Sequence, residues 1–518
     1  MTLNLNIGLM GHVDAGKTSL AKALSHVAST GAFDKDPQAQ TRGITLDLGF
    51  SACKFPIPEH LKQETDAKEI IFTLVDCPGH GSLLKTIIGG AGIIDLILLV
   101  VDVQKGIQAQ TSECIVIGEI IGCGMIVVLN KIDCIEENKR GGVIEKMSKK
   151  IRKTLNTTIF KDVPIIPIGL PLKNDPLGID DLINVLLKES FVPKRNPKGL
   201  CKFSVDHCFP IKGNGYVLTG TMLEGTLQVN DMVYIEPIDD NRKVKSIQVF
   251  KKPVEKISHG DRGAICVTNI ENHQEINRAL VCSPGLVQHI KVGVISLNRI
   301  KYFKYPIEVN GKYELMIGHS NALIKIIAIF TGCGDFNIKE EYKYIDNLTC
   351  NKDDKIDDNI NHFVLFEFVK TKSIIENTCV IGFKPDLPPN VCRIAFWGTI
   401  IDYSLDLNDF KSTYFQKLKI YRYKYKEGII ERYSDPNVAI VKNMFKKETD
   451  LRMFIGFFVT SSDGRRGKID GGFGKSGKVK VVFDGSGEND QNVDHEGKVV
   501  VKLVMKRFIF DAKKRLYQ

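Results

Sequence analysis

The pattern of apolar and polar positions changes character along the chain. Over residues 1–196, short continuous apolar runs alternate with amphipathic stretches. LNIGLM (5–10), IIFTLV (70–75), LILLVVD (96–102), MIVVLN (125–130) and PIIPI (164–168) read as strands, and segments near 17–28, 82–92, 107–121, 142–155 and 178–190 read as helices. Runs that are apolar at every position belong to strands buried on both faces, so this part predicts a parallel sheet covered by helices. FVPKRNPKG (191–199) breaks the pattern with Pro and Gly and reads as a linker. After it come KFSVDHCF, GYVLTGTM, DMVYIEP, KVKSIQVF and RGAICVTN, short strands punctuated by Gly, Asn and Asp. That spacing predicts a small β-barrel over 197–289. Residues 290–414 read as a second β-domain, interrupted by NIKEEYKYIDNLTCNKDDKIDDNINH (337–362), whose Asn, Lys and Asp content predicts a mobile loop. Residues 415–518 form a last module, with MFIGFFVT, KVKVVFDG and KVVVKLVMKRFIF among its strands.

A chain of 518 residues has room for several domains at about 100–200 residues each. Charge refines the picture. Residues 411–518 hold 24 Lys and Arg against 13 Asp and Glu, a net of +11, while the rest carries 47 against 48. A basic module on a near-neutral body suggests a polyanion partner, most simply RNA. The 13 cysteines include no CxxC pair, which argues against a zinc or redox site and for reduced thiols. TLNLNIGLMGH runs directly into a strand and a glycine-rich loop, unlike a signal peptide. The longest apolar run, Ile93–Val101, is interrupted by Asp95 and is too short to span a bilayer. A cytoplasmic protein without membrane contact is expected, with nuclear shuttling left open.

GHVDAGKT (11–18) fills every fixed position of GxxxxGK[ST] and lies between a predicted strand and a predicted helix. Gly11 and Gly16 permit the tight loop, and the backbone N–H groups of Asp14, Ala15, Gly16, Lys17, Thr18 and Ser19 can cradle phosphate oxygens. Lys17 places its charge on the β- and γ-phosphates, and the Thr18 hydroxyl is a ligand for Mg²⁺. DCPGH (76–80) follows the next strand: Asp76 can hold Mg²⁺ through water, and the Gly79 backbone can reach a γ-phosphate. NKID (130–133) carries the guanine signal. The Asp133 carboxylate accepts from N1–H and the exocyclic amine of guanine, a donor pair adenine lacks, while Asn130 and Lys131 brace the loop and base. In RGITLDLGF (42–50), Thr45 can meet Mg²⁺ only when its loop folds over the γ-phosphate, which makes the loop a switch. His80 can orient the attacking water as the catalytic residue. GTP or GDP with Mg²⁺ is the expected cofactor set, and the expected fold is multidomain: an α/β P-loop GTPase domain, two β-barrels and a mainly-β basic C-terminal domain.

Together, GHVDAGKT, RGIT, DCPGH and NKID resemble the translational GTPases related to elongation factor Tu. Finer similarity is to the selenocysteine-specific elongation factors of the eukaryotic type. It rests on RGITLDLGF, the long stretch FTLVDCPGH to IVIGEI (72–120), SVDHCFPIKGNGYVLTGTMLEGTL (204–227), GDRGAICVT (260–268), FKKETD (445–450) and KRFIFDAKKR (506–515). In one place the chain departs from its superfamily. Where translational GTPases follow the last strand with a Ser-Ala type loop that offers a backbone N–H to guanine O6, this sequence has Gly169 and Leu170.

The resemblance implies a GTPase that delivers selenocysteinyl-tRNA to the ribosome at recoded UGA codons, acting as a monomer. It implies that the fourth domain couples the factor to an mRNA stem-loop-binding partner protein and to the tRNA. It also implies an aminoacyl pocket between the G domain and the first barrel, built here from Phe50, His80, Asp206, His207 and Arg262. A selenol is far more acidic than a serine hydroxyl, so Arg262 and His207 would favour the selenolate over neutral serine, with Asp206 fixing their geometry. A structural Asp–Arg pair between barrel strands is the alternative for these residues. In the C-terminal module, SSDGRRGKIDGGFGKSGKVK (461–480) is a basic, glycine-rich hairpin suited to a phosphate backbone around Arg465, Arg466 and Lys468. Competing functions are an initiation-factor-like GTPase subunit that binds initiator tRNA and a GTPase subunit that drives sulfate activation.

Overall fold

The computed structural model describes residues 2–25, 27–28, 48–78, 88, 92–171, 175–211, 215–236, 238–249, 252–268, 276, 279–318, 320–349, 360–388, 390–474, 477–484 and 499–518. Thr45, Gly79, His80 and most of the helix expected at 82–92 lie outside these residues.

The chain forms two compact units. The first opens with a seven-stranded sheet. Its strands are β1 (Thr2–Met10), β2 (Val27–Ala28), β3 (Gly49–Pro56), β4 (Glu69–Asp76), β5 (Leu96–Asp102), β6 (Gly124–Asn130) and β7 (Ile165–Pro167), in the order β2-β3-β4-β1-β5-β6-β7. From β4 through β1, β5 and β6 to β7, every pairing is parallel. Every residue of β5 is buried, the signature of a strand covered on both faces. The expected parallel sheet is thus present, with an antiparallel edge: β2 pairs with β3, and β3 pairs with β4 from Gly49↔Asp76 to Pro56↔Glu69. No α-helix separates these two strands, only a 3₁₀ turn at Glu59–Leu61, so the chain returns by a hairpin-type route instead of a crossover. The α-helices Lys17–Leu24, Ala109–Ile121, Glu137–Leu155 and Ile179–Lys188 complete this layer.

Next comes a closed barrel. The strands Met232–Glu236, Leu280–Cys282, Lys202–Ile211, Gly215–Glu224, Arg262–Val267 and Asp240–Val249 pair in that order, and the last pairs back to the first. Phe203, Val205, Leu218, Ile235, Ile247 and Ile265 fill its interior. A second ring follows, in which Lys312–Ile317, Cys379–Phe383, Ile394–Tyr403, Val287–Ser296, Ile360–Ile375 and Ser320–Cys333 are neighbours in order, closed by the pairing of the first with the last.

The second unit holds a third ring: Lys419–Asp435, Val438–Lys442, Lys478–Phe483, Arg466–Phe473, Phe458–Ser461 and Val500–Phe508, closed by the pairing of the first with the last. Val441, Val459, Ile469, Val481, Leu503 and Met505 lie among its core residues. The expected strand at MFIGFFVT is shorter than its apolar run, because Leu451–Phe454 is a 3₁₀ turn and the strand starts only at Phe458.

The polar stretch 337–362 is not simply a loop. Glu341–Ile345 is a strand that pairs in parallel with the start of Lys419–Asp435. Tyr342 is buried and stacks on Phe336, beside Phe330 and Phe363. Alternation in EYKYI puts two tyrosines on the inner face and two charges outside, which is enough for an amphipathic strand despite the polar composition. Residues 350–359 lie outside the described set.

Candidate functional site

Motif residues converge at the C-terminal ends of β1, β4, β5 and β6, where an open α/β sheet binds ligands. The loop after β1 turns sharply, with positive φ at Gly11 (143°), Asp14 (60°) and Gly16 (93°). A side chain at Gly11 would meet the Val100 carbonyl oxygen at 2.3 Å, so this loop lies directly against β5. Gly16 caps the helix Lys17–Leu24, whose first-turn N–H groups, with no acidic side chain among them, face the loop. Ala15 is buried, and Ser19 is exposed one residue beyond Thr18.

Lys17 is 6% exposed, and its ammonium donates to the carbonyls of Gly11 (3.1 Å) and His12 (2.8 Å). Burial lowers its pKa, against the opposing attraction of Asp76. A cation desolvated in this way gains from an incoming polyanion. Thr18 Oγ1 donates to Asp76 Oδ2 at 2.6 Å, bringing a hydroxyl and a carboxylate from two motifs to one point. These hard oxygens fit Mg²⁺.

The NKID loop is braced from three sides. Asn130 Nδ2 donates to the Ala15 carbonyl at 2.9 Å, joining the NKID motif to the phosphate loop. The buried Asn130 Oδ1 has no protein partner among the described residues, which fits a site completed by a base. Lys131, in the left-handed region at φ 69°, reaches Asp102 at 3.0 Å. Burial pushes the Asp102 carboxyl up, but Lys131 and the N–H groups of Gln104 and Lys105 outweigh it and hold the pKa below the usual value. Leu170 N–H donates to Asp133 Oδ1 at 3.2 Å, while Gly169 exchanges both backbone hydrogen bonds with Leu177. Leu170, rather than Gly169, is therefore the loop N–H aimed at the Asp133 side of the site.

Sequence reasoning missed the Asp102 brace. It also missed Arg140, which donates to the carbonyls of Ile132 (3.0 Å) and Ile135 (3.3 Å) and fixes the loop from the following helix. Their signal was weak: Asp102 is one charge at the end of an apolar strand, and its pairing depends on β5 and β6 lying in register as Asp102↔Asn130.

Phe50, Asp206 and Arg262 come together elsewhere in the first unit. Phe50 lies on β3, Asp206 on Lys202–Ile211 and Arg262 at the start of Arg262–Val267. The barrel register slips between Val205 and His207, so Asp206 occupies a bulge, a device that re-aims a side chain. Arg262 Nη1 donates to Asp206 Oδ2, and the guanidinium carbon sits 3.2 Å from the centre of the Phe50 ring. All three residues are buried, at 8%, 5% and 1% exposed for Arg262, Asp206 and Phe50. The acid neutralises the arginine, so the pair is one ionic unit stacked on a ring rather than a bare cation. His207 is half-buried next in the chain, and its carbonyl accepts from Thr219 Oγ1 at 3.5 Å.

A cavity of about 470 Å³ opens away from the nucleotide motifs, with Asn6, Asp95, Cys123, Arg195, Thr221 and His259 in its wall. No helix among the described residues is long and apolar enough to cross a membrane.

Residues 3–192 match the Elongation factor Tu GTP binding domain, 294–398 the third domain of the eukaryotic selenocysteine-specific elongation factor, and 416–492 the eEFSec C-terminal RIFT domain. The chain is 38% identical to the selenocysteine-specific elongation factor of Mus musculus, over 100% of this chain and 99% of the relative. It is 32% identical to the one from Methanocaldococcus jannaschii, over 97% and 98%. Among solved structures, the elongation factor SelB of Methanococcus maripaludis bound to the GTP analogue GppNHp superposes with a TM-score of 0.75 at 27% identity, covering 98% of this chain and 99% of that one.

Proposed function

The chain belongs to the selenocysteine-specific elongation factors, and from that premise we propose how its residues bind and hydrolyse GTP and hold a selenocysteinyl-tRNA for the ribosome. The loop from Asp14 to Ser19 cradles the phosphates, and Lys17 moves its ammonium from the Gly11 and His12 carbonyls onto the β- and γ-phosphate oxygens. Thr18 and Asp76 would hold Mg²⁺, with Thr45 added when the switch folds over, and the ion would supply positive charge to the phosphates. Asp133 exchanges its bond from Leu170 N–H for guanine N1–H and the amine, which releases Leu170 N–H for O6. Gly79 senses the γ-phosphate, and His80 orients the attacking water once the ribosome has positioned it.

The arginine stacked on Phe50 and paired with Asp206 carries the amino-acid reading. A selenolate reaching Arg262 shares a cation that is already desolvated, so the interaction is strong, whereas a neutral seryl side chain gains little. His207, next in the chain to Asp206, is the further pocket residue of this reading, and the family resemblance adds His80. An initiator-tRNA-binding subunit would share the GTPase and barrels but would have no use for a buried anion-reading arginine.

The functional divisions follow 1–196, 197–289, 290–414 and 415–518, with the last meeting an mRNA stem-loop-binding partner protein. The protein works as a monomer in the cytoplasm. The test is protection of the aminoacyl ester. With a non-hydrolysable GTP analogue, the protein should slow spontaneous hydrolysis of selenocysteinyl-tRNA and leave seryl-tRNA, on the same tRNA body, unprotected. Equal protection of both esters would refute the reading of the pocket.

A further inference from the structure

The strand Lys419–Asp435 pairs antiparallel with Val500–Phe508 over Tyr421 to Ile429. Register places Tyr421 opposite Phe508, Tyr423 opposite Lys506, Tyr425 opposite Val504 and Glu427 opposite Lys502. Val501, Leu503 and Met505 alternate with these positions and fill the barrel core, so the paired side chains cover its outer surface. Tyr425 is 68% exposed there and Val504 40%. The next strand, joined through Thr460↔Lys502, adds Phe458 at 50% exposed. Lys468 stands 4.6 Å over the Phe458 ring, and Lys506 stands 4.7 Å over the Tyr421 ring.

Rings and cations are thus interleaved on one sheet face. Successive tyrosine ring centres are 5.2 and 6.1 Å apart. The rings meet at 74° and 43° rather than in a parallel ladder, so a base stacks on an exposed ring such as Tyr425, and only an unpaired nucleotide can turn its face to do so. Lys506 and Lys502 also meet Glu341 (2.7 Å) and Glu427 (3.3 Å), but these side chains are substantially exposed, and such pairs are weak enough to yield to a phosphate. The surrounding segment 411–518 carries a net +11, the complement of a polyanion.

We propose that this face binds unpaired RNA nucleotides, with Tyr423, Tyr425 and Phe458 stacking on bases and Lys468, Lys502 and Lys506 meeting phosphates. It rests on the reading of 415–518 as the module that meets the recoding machinery, but it assigns an RNA contact that needs no partner protein. Aromatic stacking tolerates any base, so preference for single strands is the expected signature and sequence preference is not.

The test is fluorescence anisotropy of the full-length protein with a labelled, unstructured RNA of about 12 nucleotides and with a duplex of the same length. The single strand should bind at least ~10-fold tighter than the duplex, and the double variant Tyr425→Ala, Phe458→Ala should lose ~10-fold or more of that affinity. Both positions are exposed and lie in the second unit, so GTP affinity should be unchanged. Equal binding of duplex and single strand, or no loss in the double variant, would overturn the proposal. So would a double variant that loses a partner protein while keeping the RNA. Failure of the wild-type protein to bind selenocysteinyl-tRNA would instead count against the functional reading itself.

Discussion

Replacing Gly169 with alanine should weaken guanine recognition without disturbing the fold. An added Cβ would lie 3.0 Å from the Asp133 backbone nitrogen, 3.0 Å from Asp133 Oδ1 and 3.1 Å from Asp133 Cβ. These approaches are shorter than the ~3.5–4.0 Å of ordinary contacts, so something must shift. Gly169 cannot easily retreat, because its N–H and C=O are both bonded to Leu177, at 3.1 and 2.8 Å. Asp133 must therefore move, and with it the carboxylate proposed to accept from guanine N1–H and the amine. A hydrogen bond to a charged group contributes about 1.5–3 kcal/mol. Losing one of the two corresponds to roughly 10- to 150-fold in affinity. The assay is equilibrium binding of a fluorescent GDP, competed with GTP and with inosine triphosphate, which lacks the amine. GTP affinity should fall by that factor and inosine triphosphate affinity by less, so that the ratio between them shrinks. An unchanged ratio with normal affinities would mean that the loop relaxes away from Asp133 and that the glycine has no role in base selection.

Other consequences follow from buried charge. Because burial lowers the Lys17 pKa, the nucleotide-free protein should gain stability from this group as pH rises from that lowered pKa toward the usual 10.5, where the unfolded chain still holds a proton that the folded chain has shed. Saturating GDP should abolish this rise by keeping the lysine charged; urea unfolding with and without GDP across the alkaline range would check it. Arg393→Ala should destabilise the first unit by about 3–5 kcal/mol, because it strands Glu113 without a cation. Arg393 Nε and Nη2 meet both Glu113 oxygens at 2.9 and 2.7 Å, and both residues are at most 5% exposed. Urea unfolding should show a lower midpoint for this variant and little change for Arg452→Ala, whose exposed pair with Asp450 serves as the control.

The nucleotide site was readable because its chemistry is local. Each motif is a few contiguous residues at a strand end, and the alternation of apolar strands and helices fixes which ends meet. The braces were not readable for the opposite reason. Asp102 reaches Lys131 only through the register of β5 against β6, and Glu113 reaches Arg393 across 280 positions of sequence. Composition misled at 337–349, where the polar count hid the two-residue alternation of Tyr342 and Tyr344. Arg262, Asp206 and Phe50 lie between: each residue is unremarkable alone, and only family resemblance joined three elements that the fold brings into contact. The sequence reading already gave Asp206 the task of fixing Arg262, and the fold pairs the two.

Whether Arg262 reads the selenolate is decided by one comparison. The direct measurement is the affinity of the GTP-bound protein for one tRNA charged in turn with selenocysteine, serine and cysteine, with wild type and Arg262→Ala compared. Wild type should show strong preference for selenocysteine and the variant should lose it, with GTP binding unchanged. Equal affinity for all three, or a preference that survives without Arg262, would contradict it and leave the Asp206–Arg262 pair as a structural strut of the barrel.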